Sequence, residues 1–374
     1  MLTKAGHTVY HYGCEGSNPV CTEQVDVITN EYRLKFYPDD FTESYKYDIN
    51  DELHNLYRKN TIDEIHKRAQ PKDFLLCQWG WAHKPIADAL TVPMMVVESG
   101  IGYEDTFAKF RVFESHTWMN WVYGKDKASN GSWYDCAIPN YFDSRDFTYN
   151  DKKEDWFLYI GRLIHLKGVD IASQICKAIG AKLVVAGQGK QVNPNENLDL
   201  RGDHIEFVGF ADVEKRRDLM SRARGVFVPT YYVEPFGGVS IEAAMSGTPV
   251  LTTDWGVFAE NVLHGITGYR CRTFEQFCWA AKNIHTISPA ACRQWAMDNF
   301  SMERVTQMYE EYFDMIYQLW SDGWYAQKPE RNNLDWLKRY YPQNTLPVQA
   351  LPLTVNPTPV VPRIHGPIGP IPLR

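Results

Sequence analysis

Two glutamates eight positions apart, Glu234 and Glu242, bracket the run Pro235-Phe236-Gly237-Gly238-Val239-Ser240-Ile241. An ionised carboxylate only accepts hydrogen bonds, so each acid can grip a pair of neighbouring hydroxyls. The two glycines between them let a phosphate approach backbone N–H groups closely. A helix beginning there would also turn its positive end toward that anion. This chemistry fits a ligand with hydroxyls at both ends and a diphosphate between, which describes a nucleotide-sugar. A capped surface helix carrying two solvated acids is the plainer alternative, and the Pro-Phe-Gly-Gly insert behind an apolar strand argues against it.

The period of the apolar residues places these acids. Ala223 to Pro229 predicts a short buried strand and Val239 to Met245 a helix, closed by Ser246-Gly247 before the strand Pro249-Val250-Leu251. Glu234 then sits on a strand-to-helix loop and Glu242 inside the helix. Elsewhere short apolar runs alternate with helical stretches, the pattern of parallel sheets with crossover helices. In the first half His7 to Tyr12, Phe74 to Cys77 and Pro93 to Val97 read as strands. Asp51 to Arg68, Lys84 to Leu90 and Lys109 to Tyr123 read as helices. The second half offers strands at Trp156 to Ile160, Lys182 to Ala186 and His204 to Val208, and helices at Val169 to Ile179 and Val213 to Arg222. The polar stretch 143–155 separates two α/β domains, 1–150 and 151–300, with a ligand expected in the cleft between them. Met302 to Trp320 has helical apolar spacing, so 301–330 is expected to pack back on the first domain. Residues 331–374 are Pro-rich and read as a flexible tail.

Bulk composition narrows the function. A chain of 374 residues accommodates two ordinary domains. A net charge of −7 and a pI near 5.9 argue against a broad basic face for nucleic acid. Aromatic residues are plentiful and suit sugar rings as well as cores. None of the eight cysteines forms a Cys-x-x-Cys pair, so free thiols are expected, although Cys14 and Cys21 could pair. The amino terminus has no apolar leader and no run long enough for a membrane span, which predicts a cytoplasmic protein without a transmembrane segment. Oligomeric state is not legible. Neither zinc-spaced ligands nor an Asp-x-Asp occurs, so no metal or other cofactor is expected.

Four segments, read together, carry a resemblance. They are Tyr159-Ile160-Gly161-Arg162-Leu163-Ile164-His165-Leu166-Lys167-Gly168-Val169-Asp170, Leu183 to Gly189, Ile205 to Phe210, and the Glu234 to Glu242 block with Ser246 to Val250 behind it. Over roughly residues 150–285 their order and spacing resemble the nucleotide-binding domain of retaining glycosyltransferases of family 4. Ala137-Ile138-Pro139-Asn140, followed by Asp143 and Phe147, resembles the signature that precedes that domain. The resemblance implies the GT-B fold, two Rossmann-like α/β domains facing each other across a cleft. It implies transfer of a sugar, with retention and without a metal, from a nucleotide-diphosphate sugar to a hydroxyl of a glycan or glycoconjugate.

Roles follow residue by residue from that resemblance. Arg162 and Lys167, behind Gly161, match the cationic pair on the diphosphate, where fixed positive charge stabilises the leaving group. Glu242 matches the holder of the ribose hydroxyls and Glu234 the acid beside the transferred sugar. Phe236, Gly237, Gly238 and Val239 would offer backbone N–H groups, and Gly209-Phe210 would approach the base. Glu234, Arg162 and Lys167 form the expected catalytic set. Glu98, Tyr103 and Trp81 are the expected acceptor contacts. The implied route is front-face attack. A double displacement through Glu98 or Glu104 is the alternative.

Two departures stand out. The family's histidine after the strand at Pro93–Val97 is missing, since the loop reads Glu98-Ser99-Gly100-Ile101-Gly102-Tyr103; His83 and His116, nearby in sequence, are not assigned to the site. The chain also begins near the end of the family's first helix, so the opening, usually central strand is not among these residues. Unpaired backbone in the first half is the expectation. A non-catalytic sugar-nucleotide binder and a sugar-nucleotide epimerase remain as competing readings.

Overall fold

Residues 1–39 and 46–322 are described by the computed structural model; the Pro-rich tail at 331–374 and the end of the 301–330 segment lie outside the described residues. The first half runs β1 (Tyr10–Cys14), β2 (Glu23–Ile28), α1 (Asn30–Leu34), α2 (Glu52–His66), β3 (Phe74–Cys77), α3 (Lys84–Asp88), β4 (Met95–Ile101), β5 (Phe110–Phe113), α4 (His116–Lys125) and β6 (Asp135–Ala137). Its strands form two separate parallel sheets, β1-β2 and β3-β4-β5-β6.

Lys109 to Tyr123, expected as one helix, divides into β5 and α4. Phe110, Val112 and Phe113 are buried, whereas Arg111 turns to the opposite face. There it meets Asp135, its direct partner across the β5–β6 ladder. Arg111 Nε and Nη2 donate to the Asp135 carboxylate at 3.0 and 2.5 Å, and Tyr123 adds its hydroxyl at 2.6 Å. Ser115 then caps α4, its hydroxyl accepting from Trp118 N at 3.0 Å. Since the Asp135 side chain is 1% exposed, removing it leaves a largely buried guanidinium and a phenol without their carboxylate. Asp135→Ala is therefore expected to destabilise the chain by about 3–5 kcal/mol, read as a lower urea midpoint.

The second half contains β7 (Trp156–Ile160), α5 (Val169–Ile179), β8 (Lys182–Ala186), the small hairpin β9 (Val192–Asn193) and β10 (Leu198–Asp199), β11 (Ile205–Gly209), α6 (Val213–Arg222), β12 (Gly225–Val228), α7 (Gly238–Met245), β13 (Val250–Thr253), α8 (Phe258–Asn261), β14 (Gly268–Cys271), α9 (Phe274–Lys282) and α10 (Pro289–Phe300). Six strands make one parallel sheet in the order β11-β8-β7-β12-β13-β14. Its strands are apolar on both faces, as burial under helices on both sides requires. Phe157, Tyr159, Leu183, Val185, Phe227 and Leu251 join one core with Ile175 of α5 and Phe277 of α9. Leu158, Ile160, Val184, Val226 and Val228 join the other with Leu219 of α6 and Phe258 of α8.

The last helix, α11 (Met302–Asp322), follows the second half in sequence but packs on the first. Val305, Met308, Tyr312 and Ile316 recur at helical spacing and meet Met95, Val97, Phe110 and Val112 of β4 and β5. Tyr312 also donates its hydroxyl to Tyr134 O at 2.8 Å. All eight cysteines are free thiols, so Cys14 and Cys21 do not pair.

Candidate functional site

In the six-stranded sheet β7 is followed by β8 and β11 on one side, and β12 continues with β13 and β14 on the other. The crossovers leaving β7 and β12 thus run in opposite directions, and a crevice opens beyond the carboxyl ends of these two neighbours. The loop after β7 carries Arg162 and Lys167; the loop after β12 carries Tyr232, Glu234 and Gly237. Two glycines make the arrangement possible. Gly168 has φ 72°, and a Cβ there would lie 2.1 Å from Pro229 O, so only glycine lets the two loops touch. Gly237 has φ 69° and starts α7 from the left-handed region against the Phe258 ring, where a Cβ would lie 2.7 Å away. Tyr231 N donates to Leu166 O at 2.9 Å and ties the loops together.

Lys167 Nζ donates to Glu234 Oε2 at 2.8 Å and stands 4.8 Å from the centre of the Tyr232 ring. Tyr232 lies beside Glu234 and Arg162, and burial together with the Glu234 charge holds its hydroxyl well above the usual phenol range. Behind them the Phe236 ring packs against Phe142 and Phe300, while its carbonyl accepts from Asn261 Nδ2 at 2.6 Å. The Pro235–Gly238 segment is therefore held from below, and its upper side faces the crevice together with the amino end of α7.

The first half closes the other wall. Ser115 Oγ donates to Pro235 O at 2.6 Å. Glu260 of α8 accepts from His116 N and Thr117 N at 3.1 and 2.5 Å, placing a carboxylate on the positive end of α4. Between the walls lies a cavity of about 720 Å³, lined by Glu114, Trp118, Asn140, Arg162, Lys167, Tyr232 and Glu234, with Gly102 and residues 141–142 and 235–238 around them. Its size and polar lining suit a ligand larger than a single sugar. Among the described residues no group of three or more His, Cys, Asp or Glu side chains could hold a metal ion.

Arg162, Lys167, Glu234, Phe236, Gly237 and Gly238 meet at this cavity. Gly161, Val239, Gly209 and Phe210 do not line it; Gly209 ends β11 with φ 70°, and the neighbouring Phe210 is 48% exposed. Glu242 is also absent from the lining. Its carboxylate is taken by Arg216, whose Nε donates at 2.6 Å and whose Nη2 donates as well. A ribose at Glu242 would have to share that carboxylate with Arg216.

The expected acceptor contacts Glu98, Tyr103 and Trp81 do not line the cavity. Glu98 is fully buried, and Phe107 N and Ala108 N donate to its Oε2 at 2.7 Å each, with the Tyr103 hydroxyl on Oε1 at 3.3 Å. That carboxylate fixes the 103–108 loop and occupies Tyr103 as well. Trp81 is 50% exposed with Lys84 over its ring, outside the cavity lining. Glu104 pairs with Lys125. The acid that the first half does turn into the cavity is Glu114, with Asn140 donating to its Oε1 at 2.6 Å. Spacing gave no hint of Glu114, because it was folded into a helix that does not exist at that point. Tyr232, two residues before Glu234, could have been found by its place in the same loop.

Known proteins share this architecture. Residues 142–284 match the family described as Glycosyl transferases group 1. Glycogen synthase of Mycobacterium tuberculosis is 36% identical over 124 residues, which is 30% of this chain and 29% of that protein. D-inositol 3-phosphate glycosyltransferase of a Mycobacterium species is 30% identical over 163 residues, 40% of this chain and 36% of that protein. The chain thus spans about a third of the length of these curated relatives. Among solved structures, AviGT4, a glycosyltransferase involved in avilamycin A biosynthesis, superimposes with a TM-score of 0.61 at 19% identity, over 84% of this chain and 86% of that one. HepE of Anabaena, solved in complex with UDP and glucose, gives 0.55 at 16% identity, over 70% of this chain and 82% of that one. The fold is GT-B.

Proposed function

We propose that this protein, whose residues 142–284 match the family described as Glycosyl transferases group 1 and whose fold is GT-B, moves a sugar from a nucleotide-diphosphate sugar to a hydroxyl of a glycan or glycoconjugate, retaining the anomeric configuration and using no metal. The observation that carries this reading is the Lys167–Glu234 pair, held at the amino end of α7 with Arg162 beside it. Two fixed cations and a helix amino end supply what a departing diphosphate needs as its negative charge grows. Glu234, in the same cavity, offers negative charge and a hydrogen-bond acceptor to the sugar as its ring becomes oxocarbenium-like. The acceptor oxygen bonds to the anomeric carbon as the bond to phosphate breaks, and the freed phosphate oxygen takes the hydroxyl proton. Attack from the face of departure preserves configuration.

HepE was solved with UDP and glucose, so UDP-glucose heads the donor panel. Nucleotide release that depends on an added acceptor, with NMR of the product showing the donor's anomeric configuration, tests the proposal. An inverted product removes the retaining assignment. Binding without release favours a non-catalytic binder, and a changed sugar in the nucleotide pool favours an epimerase. On this reading Arg162 and Lys167 neutralise the diphosphate in place of a divalent ion, so a chelator is expected to leave the initial rate within about twofold. Activity lost on chelation and restored by manganese would overturn metal independence. No helix among the described residues is long and apolar enough to cross a membrane. None of the eight cysteines forms a disulfide, which fits a reducing compartment, and we place the reaction in the cytoplasm.

A further inference from the structure

Glu114 stands on the cavity wall contributed by the first half, immediately after β5. Three structural uses of such a side chain are already filled by others. Ser115 caps α4, Glu260 holds the first amides of that helix, and Asp135 neutralises Arg111. The Glu114 backbone N–H goes to Ile101 O at 3.2 Å, which leaves its carboxylate unrelated to the ladder. One oxygen, Oε1, accepts from Asn140 Nδ2 at 2.6 Å. The other, Oε2, rests on Gly102, where a Cβ would come within 2.2 Å of it, so the absence of a side chain at 102 is what gives the carboxylate its place. Among the described residues Oε2 accepts no hydrogen bond, and no cation pairs with the group. Burial and the Glu234 charge push the Glu114 carboxyl above its ordinary range. An acid kept in a cleft at that cost, without a counter-ion, has capacity left for a ligand.

We propose that Glu114, oriented by Asn140 and seated on Gly102, is an acceptor-binding carboxylate that takes a hydrogen bond from a hydroxyl of a neutral, polyhydroxylated acceptor. The inference rests on the glycosyltransferase reading above. The site faces Glu234 across the cavity, and the two carboxylates approach closely enough to feel each other's charge. An acceptor between them would meet acids on both walls, which favours hydroxyl donors and disfavours acidic acceptors.

The test uses the full chain, UDP-glucose and GDP-mannose as donors, and methyl hexopyranosides, maltooligosaccharides and their uronic-acid counterparts as acceptor probes. Donor affinity is measured by calorimetry, acceptor KM and kcat by nucleotide release, and folding by thermal melting. Glu114→Gln is expected to keep the melting temperature and donor Kd near wild type while raising acceptor KM about tenfold or more. Glu114→Asp should recover part of that loss, and Gly102→Ala, which displaces the carboxylate, should reproduce it. Neutral acceptors should outperform uronic acids in the wild type, and Glu114→Gln should narrow the gap. Unchanged acceptor KM with unchanged donor Kd overturns the inference and leaves glycosyl transfer standing. Weakened donor binding with normal acceptor KM also overturns it, by moving Glu114 to the donor side. Wild-type protein that neither binds nor turns over any donor overturns the glycosyltransferase reading itself.

Discussion

Replacing Glu234 by glutamine is expected to lower kcat by about 10²–10³-fold with little change in the affinity for the donor. Glutamine keeps the volume and the oxygen that accepts from Lys167 Nζ, now 2.8 Å away, so the loop after β12 retains its anchor. What disappears is the negative charge that the proposed mechanism sets beside the sugar. That charge matters most when the anomeric carbon is electron-poor, and a loss confined to the transition state lowers kcat and kcat/KM together. Alanine would be a poorer probe. It would leave the half-buried Lys167 ammonium without its carboxylate, at a cost of about 3 kcal/mol or more in stability, and would mix unfolding with chemistry. The measurement is steady-state nucleotide release alongside calorimetric donor binding. A glutamine variant with wild-type kcat would mean that the acid serves only to place Lys167.

The second half was legible because its sequence obeys two periods without interruption. Trp156–Ile160, Val169–Ile179, Lys182–Ala186 and Val213–Arg222 fold with the bounds their apolar spacing predicts. Strands buried on both faces read as continuous apolar runs, and the crossover helices carry one stripe each. Arg162 and Lys167 were singled out by the family resemblance rather than by period, and the structure sets them beside Glu234 and Gly237 because strand ends fix where loops emerge. The first half was harder. Phe110-Arg111-Val112-Phe113 is too short to separate strand from helix by period alone, and the misreading concealed Glu114. Glu98 shows a different limit: its carboxylate is consumed by amides nine and ten residues downstream, in a loop whose path no local pattern reveals. The Arg216–Glu242 pair joins α6 to α7 across twenty-six positions, so partner choice there belongs to packing.

Removing the Lys167 charge is expected to have the largest effect. Lys167→Met keeps an unbranched apolar stem over the Tyr232 ring but deletes the ammonium that lies 4.8 Å from its centre. Two functions go with it. The departing diphosphate loses one of its two cations, leaving Arg162 and the α7 amides, and the Glu234 carboxylate loses its partner. A fixed charge aimed at a leaving group contributes more in the transition state than in the ground state, so kcat/KM should fall by about 10³-fold or more, with donor Kd weakened about tenfold. Because both residues act on one centre, their effects should not add. With about 10³-fold or more for Lys167→Met and about 10²–10³-fold for Glu234→Gln, the double variant should cost well under the product, a coupling of about 1–3 kcal/mol. Multiplicative losses in that cycle would show that the two side chains work independently. The ion pair would then be a structural contact with no part in sugar transfer.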